Sequence, residues 1–134
     1  MSRADVEVVL DQYAATNERD FARVMSLYAD DVELIVREPW MNPGVYNGRE
    51  AVGDWFGDWF TTFASDATFD VTEARELPTG EVLVVAEHHA RGRASGVEVR
   101  GTIVWVYRLE NGRIDRVEGF PTSDAALEAR GLSE

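Results

Sequence analysis

No cysteine occurs in the 134 residues, so disulfides and thiolate metal sites are excluded. Long hydrophobic runs are missing too: none approaches the roughly eighteen apolar residues that a membrane-spanning helix requires. Positive charge is scarce, with 13 basic residues against 25 acidic ones and a formal net charge of −12. A surface of that sign repels phosphate backbones and anionic lipid, which argues against nucleic-acid or membrane partners. The nearest basic cluster, Arg91, Arg93 and Arg100, is interrupted by Glu98. The segment Met1-Ser2-Arg3-Ala4-Asp5 turns acidic at once and lacks the apolar core of a signal peptide, so a cytoplasmic location is expected. Histidine is limited to His88 and His89, which alternate to opposite faces of a strand and cannot chelate one metal ion together. No metal site and no cofactor motif is expected.

What is present is an apolar fraction of 45%, enough for one globular domain spanning residues 1–134. Val6, Val9, Leu10, Tyr13 and Ala14 recur at helical spacing, with Asp5, Glu7, Asp11 and Gln12 turned away from that stripe. Asp20 is a suitable N-cap for a second short helix with Phe21, Val24, Met25 and Tyr28 on its buried face, ended by Asp30-Asp31. Val32 to Val36 reads as a strand. Pro39, Pro43 and Gly44 make the next stretch a loop, and Trp40, Met41, Val45 and Tyr46 make it an unusually apolar one, suited to pack onto the domain's own core or to act as a lid. A third helix carries Val52, Trp55, Phe56, Trp59, Phe60 and Phe63 along one face. Each buried aromatic contributes roughly 1.5–3 kcal/mol, so that face demands a broad apolar partner such as a curved sheet.

From Ala67 onward the pattern is β. Strands are expected over Phe69 to Leu77, Glu81 to Arg93, Val97 to Leu109 and Ile114 to Phe120. Pro78-Thr79-Gly80, Ala94-Ser95-Gly96 and Asn111-Gly112 separate them. Asn-Gly between apolar runs signals a tight hairpin, because both central residues must adopt φ > 0. Pro121-Thr122-Ser123-Asp124 opens a short last helix, with Gly131 past its end. Helices gathered ahead of a strand meander argue for an α+β fold, in which helices cover a curved antiparallel sheet and enclose an aromatic-lined pocket.

The order of elements is joined by three local matches: Asp30-Asp31 before the first strand, Gly44 to Val52 leading into the third helix, and Asn111-Gly112-Arg113-Ile114 in the last hairpin. Together they resemble the nuclear transport factor 2-like superfamily, and within it the SnoaL-like (polyketide cyclase-like) branch related to ketosteroid isomerase. Arg91 to Val99 and Phe120 to Leu132 add to the likeness. The resemblance implies a cone-shaped fold, a deep pocket at its mouth and a homodimer formed through the sheet. Ketosteroid isomerase-like sites use an aspartate base at the end of the first strand, with a tyrosine and a protonated aspartic acid as oxyanion donors. Here the base position falls near Val36, the acid position near Trp105, and Tyr13 lies within one residue of the tyrosine position. Steroid isomerisation is therefore not expected. Limonene epoxide hydrolase relatives use an aspartate–arginine–aspartate set, which neither Glu98 with Arg100 nor Arg91 with Glu118 reproduces.

Three residues are candidates for chemistry. His88 shares a strand face with Val82, Val84 and Ala86, the more apolar of the two faces, and so is expected inside the pocket. A buried histidine there can serve as general base, or can be a hydrogen-bonded structural residue or one at a dimer interface. Glu118, on the last strand, is the candidate carboxylate, with the alternative of a solvent-facing residue beside Arg116. Tyr13, or the indole N–H of Trp105, is the candidate donor to developing oxyanion charge. Trp40, Trp55, Trp59, Trp105 and Phe120 are expected to form the pocket wall, and the expected partner is a small apolar molecule. Two functions fit: a cofactor-independent isomerase, cyclase or dehydratase acting on a small apolar carbonyl compound, or a non-catalytic binder of an apolar or aromatic metabolite. A third reading is a dimeric adaptor whose pocket is vestigial.

Overall fold

The computed structural model describes residues 2–38, 40, 42–63 and 67–132. Helices α1 (Ser2–Asn17) and α2 (Phe21–Ser26) lead into strand β1 (Tyr28–Val36) and a short strand β2 (Gly44–Asn47). Helix α3 (Arg49–Thr62) follows, then strands β3 (Thr68–Glu76), β4 (Val82–Arg91), β5 (Glu98–Glu110) and β6 (Arg113–Phe120), and helix α4 (Ser123–Ala129). The α+β class and the curved sheet are those the pattern predicts. The sheet has six strands in the order β2-β1-β6-β5-β4-β3. All neighbours are antiparallel except β1 and β6, which run parallel. Asn111 and Gly112 both have positive φ, 54° and 78°, as a tight Asn-Gly hairpin requires.

Three local expectations are corrected. Tyr28 is not on a helix face, and Asp30-Asp31 do not end a helix. The helix stops at Ser26, and Tyr28 begins β1, because the Ile114 N–H donates to the Leu27 carbonyl at 2.9 Å and draws the chain into the sheet. A register irregularity between Tyr28 and Glu33 leaves Asp30 and Asp31 unpaired with β6 and exposed. The apolar loop contains a strand, since Gly44–Asn47 pairs with β1; Pro39 and Met41 lie outside the described residues. In α1 the buried face is rotated: Val9, Gln12, Tyr13, Ala15 and Thr16 are buried, whereas Leu10 is 38% exposed. Gln12 was expected outside. It is drawn in because buried hydroxyls across the core need polar partners.

Strand alternation divides the apolar residues between two faces. Val82, Val84 and Ala86 share one cluster with Val9 and Tyr13 of α1 and Val52, Trp55 and Trp59 of α3. Leu83, Val104 and Val106 point the other way and pack with Ala126 and Leu127 of α4. Helices α1 to α3 therefore enclose the front of the sheet, and α4 covers its back.

One glycine is dictated by the aromatic core. A Cβ built on Gly119 would lie 2.9 Å from Cζ3 of Trp105, the residue paired with it across β5 and β6. A rigid indole cannot retreat without disturbing its neighbours. Gly119→Ala is expected to lower stability by about 1–3 kcal/mol through overpacking, read by urea unfolding. A loss below about 0.5 kcal/mol, the range of an ordinary surface change, would mean that the ring moves freely.

Candidate functional site

Beneath α1 and α3 lies an inner chamber walled by Tyr13, Trp40, Trp55, Trp59, Phe69 and Trp105. The four tryptophans come together here, contributed by α3, β5 and the segment between β1 and β2. Trp40 is central: its ring centroid lies 6.0 Å from Trp55, 5.7 Å from Trp105 and 6.2 Å from Phe69. With these rings in place the chamber's volume is about 30 Å³. That is space for water and not for an organic ligand.

The far end of the chamber is polar. The Tyr107 hydroxyl donates to the Tyr13 hydroxyl at 2.6 Å and lies 3.3 Å from Oε1 of Gln12. Gln12 Nε2 donates to Thr16 Oγ1 at 2.9 Å, and that hydroxyl donates back to the Gln12 carbonyl at 2.8 Å. Burial pushes the hydroxyls of Tyr13, Tyr28 and Tyr107 well above the ordinary tyrosine range, so all three stay protonated at neutral pH. Tyr107, Gln12, Thr16 and Tyr28 were not among the expected site residues. For Tyr107 the signal was available, since it follows Trp105 by two residues and therefore faces the same side.

A larger outer cleft of about 580 Å³ opens on the other side of Trp40. Phe63, His88, Val99, Gly101, Ile103 and Phe120 line it, with Arg37, Glu38 and Arg100 among its polar residues. His88 faces inward, as alternation predicts, and is only 4% exposed. His89 turns to the other face, where its Nε2 is 3.5 Å from the Asp70 carboxylate. Aromatic rings surround His88: Phe69 stacks on it at 4.7 Å, and Trp40, Phe63 and Trp59 follow at 5.1, 5.3 and 5.8 Å. Its Nε2 is buried and has no hydrogen-bond partner among the described residues. Burial, and secondarily the charge of His89, lowers its pKa to about 4, so the imidazole is neutral at pH 7.

Glu118 is not in the pocket wall. It pairs with Val106 and so faces α4, behind the sheet. The solvent-facing alternative does not hold either, because Glu118 is 5% exposed. Arg130 Nη2 donates to its Oε1 at 2.9 Å, and Arg37 Nη2 lies 2.7 Å from its Oε2. Arg116 approaches to 3.7 Å. Burial alone would raise the pKa of this carboxyl, but the hydrogen bonds and charges of Arg130 and Arg37 outweigh it and hold the group below the ordinary range. Phe120 also departs from the wall of tryptophans. It pairs with Val104 on the α4 side, lies between the guanidinium groups of Arg37 and Arg130 at 5.0 and 5.6 Å, and reaches the outer cleft at its rim.

The three candidates for chemistry are thus kept apart. Phe69 stands between Tyr13 and His88, with its ring 5.7 Å from the first and 4.7 Å from the second. The sheet separates both from Glu118. Among the described residues no group of three or more metal-ligating side chains is present, and no helix is long and apolar enough to cross a membrane.

Comparison with known proteins fits this architecture. A family model described as the SnoaL-like domain matches residues 9–117. An uncharacterized protein of Mycobacterium tuberculosis is 29% identical over 126 residues, covering 94% of this chain and 95% of that protein. Among solved structures, Bal32a from a soil-derived mobile gene cassette superposes with a TM-score of 0.81 at 19% identity, covering 89% of each chain. A ketosteroid isomerase-like protein from Catenulispora acidiphila, in complex with trimethylamine, gives 0.74 at 16% identity, covering 94% of this chain and 93% of its own. At these identities the structural likeness establishes the fold and no more.

Proposed function

The chain belongs to the SnoaL-like domain family, and on that premise we propose that it takes up a small, largely apolar aromatic molecule in the outer cleft, with one polar group of the ligand bonded to His88. The observation that carries this reading is the Nε2, without a hydrogen-bond partner among the described residues, of a histidine that is 4% exposed and lines a cleft of about 580 Å³. A buried polar atom without a partner costs about 1–3 kcal/mol, and a ligand that supplies the bond recovers it. Trp40, Phe63, Val99, Ile103 and Phe120 give the cleft apolar walls that suit an aromatic body, beside the polar side chains of Arg37, Glu38, Arg100 and Thr102.

Phenol and 1-naphthol are suitable probes, titrated against tryptophan fluorescence, since Trp40 and Trp59 lie beside His88. His88→Phe fits the same ring of aromatics and removes only the polar atom. It is expected to weaken 1-naphthol binding about tenfold, the equivalent of one good hydrogen bond. Equal affinity in both proteins removes His88 from the site.

A second reading, proton transfer on an apolar carbonyl compound, draws on the same neutral imidazole, which is free to accept a proton. Two features weigh against it: a pKa of about 4 makes a weak base, and among the described residues no acid/base group is hydrogen-bonded to the His88 Nε2. It predicts protein-dependent deuterium exchange at the α-carbon of 2-tetralone, abolished in His88→Phe. Absence of exchange above the buffer rate leaves the binding reading alone.

A further inference from the structure

The strand that faces His88 has a notch. Gly101 of β5 is the direct partner of His88 in the β4–β5 ladder, and Val99 and Ile103, two residues to either side, line the same cleft. The face of β5 that borders the cleft therefore reads apolar, empty, apolar. Neither backbone nor packing explains the glycine. Gly101 is not among the residues with positive φ, and a Cβ built on it would meet nothing within 4 Å. Gly119 is the contrast, being the position where Trp105 leaves no room. Glycine inside a strand weakens it and often marks a place where another molecule approaches the backbone. Val99, 39% exposed, is an apolar residue left partly open beside the notch.

Resting on the proposal that the outer cleft holds the ligand, we infer that Gly101 is the specificity-determining residue of the site. Its missing side chain admits the edge of a flat, neutral aromatic molecule to the Nε2 of His88, and it sets the size of molecule that reaches that atom. Phe69 stacks against the imidazole and Phe63 meets it edge-on, at interplanar angles of 18° and 85°. Those rings close the histidine from the α3 and β3 sides. Toward β5, position 101 sets no side chain against it, and a Cβ built there would meet nothing within 4 Å.

The test is a volume series at one position, with Gly101→Ala and Gly101→Leu titrated against phenol and 1-naphthol by isothermal calorimetry. Gly101→Ala is expected to melt at or above the wild-type temperature, because its Cβ meets nothing within 4 Å and β propensity improves. Affinity for 1-naphthol is expected to fall at least tenfold in Gly101→Leu and by less in Gly101→Ala, with phenol affected less than 1-naphthol in each. Wild-type protein that binds neither probe overturns the underlying reading of the cleft, and this inference with it. Wild-type binding that Gly101→Leu leaves within twofold overturns the inference alone. If Gly101→Leu fails to fold, the test passes to Gly101→Ala, whose single methyl meets no neighbour: 1-naphthol affinity equal to that of wild type then overturns the inference.

Discussion

Glu118→Ala is expected to destabilise the fold by about 3 kcal/mol, toward the lower end of what removing one partner of a buried ion pair costs. The carboxylate sits behind the sheet and joins three elements: Arg37 just past β1, Arg116 on β6 and Arg130 just past α4. Deleting it leaves Arg130, whose side chain is 14% exposed, with Glu81 as its remaining carboxylate at 2.8 Å. Arg37 and Arg116 are 44% and 32% exposed and reach water, which keeps the loss from being larger. Arg37 also donates to the Gly119 carbonyl at 2.8 Å, so the network fixes the end of β6. Urea unfolding measures the change. Glu118→Gln should lose less, since the amide oxygen still accepts one hydrogen bond. An alanine variant within about 1 kcal/mol of wild type, the value of an exposed pair, would show that the arginines find water without penalty.

The second large effect is a loss of stability on mild acidification. His88 has a folded pKa of about 4 against an ordinary value of 6.5. Between those values the unfolded chain binds a proton that the folded chain refuses, so unfolding is favoured as pH falls. The stability linked to His88 is complete above about pH 6.5 and is lost progressively down to about pH 4, up to about 3 kcal/mol in all. The measurement is urea unfolding from pH 7.5 to 4 for wild type and for His88→Phe, which does not titrate there. Wild-type stability should fall relative to that of His88→Phe as the pH drops across this window. Parallel curves would refute a depressed histidine pKa. Glu118 does not confuse the reading: its lowered pKa places its own contribution further into acid, where stability disappears as the carboxylate finally protonates.

The same mechanism bears on ligand uptake. A neutral imidazole with a free Nε2 at pH 7 can accept a hydrogen bond without the cost of burying a charge. Protonation below pH 5 would place a cation among Phe69, Trp40, Phe63 and Trp59, in a setting that does not compensate it except through ring faces.

Much of this was legible in the sequence. Helical spacing from Val52 to Phe63 announced a face of aromatics in need of a curved partner, and α3 supplies that face. Two-residue alternation put His88 with Val82, Val84 and Ala86, and all four are buried on the α3 side. Asn111-Gly112 fixed the last hairpin. The errors have a common origin. Glu118 obeys the same alternation as Trp105 and Tyr107, but its face is set by its register against β5, where it meets Val106. Gln12 looked like surface because its type is polar, whereas it answers the Tyr107 hydroxyl contributed from far along the chain.

By itself, then, the sequence determined the α+β class, the order of its principal elements, the aromatic face of α3 and the inward turn of His88. Each of these follows from local periodicity, which the backbone imposes on every helix and strand. Only the tertiary structure decided that Trp40 separates a chamber of about 30 Å³ from a cleft of about 580 Å³. It alone decided that Phe69 parts Tyr13 from His88, that the sheet hides Glu118, and that Gly101 stands opposite the histidine. These are relations between residues distant in the chain, fixed by strand register and by which ring fills which space. Local spacing carries no information about either.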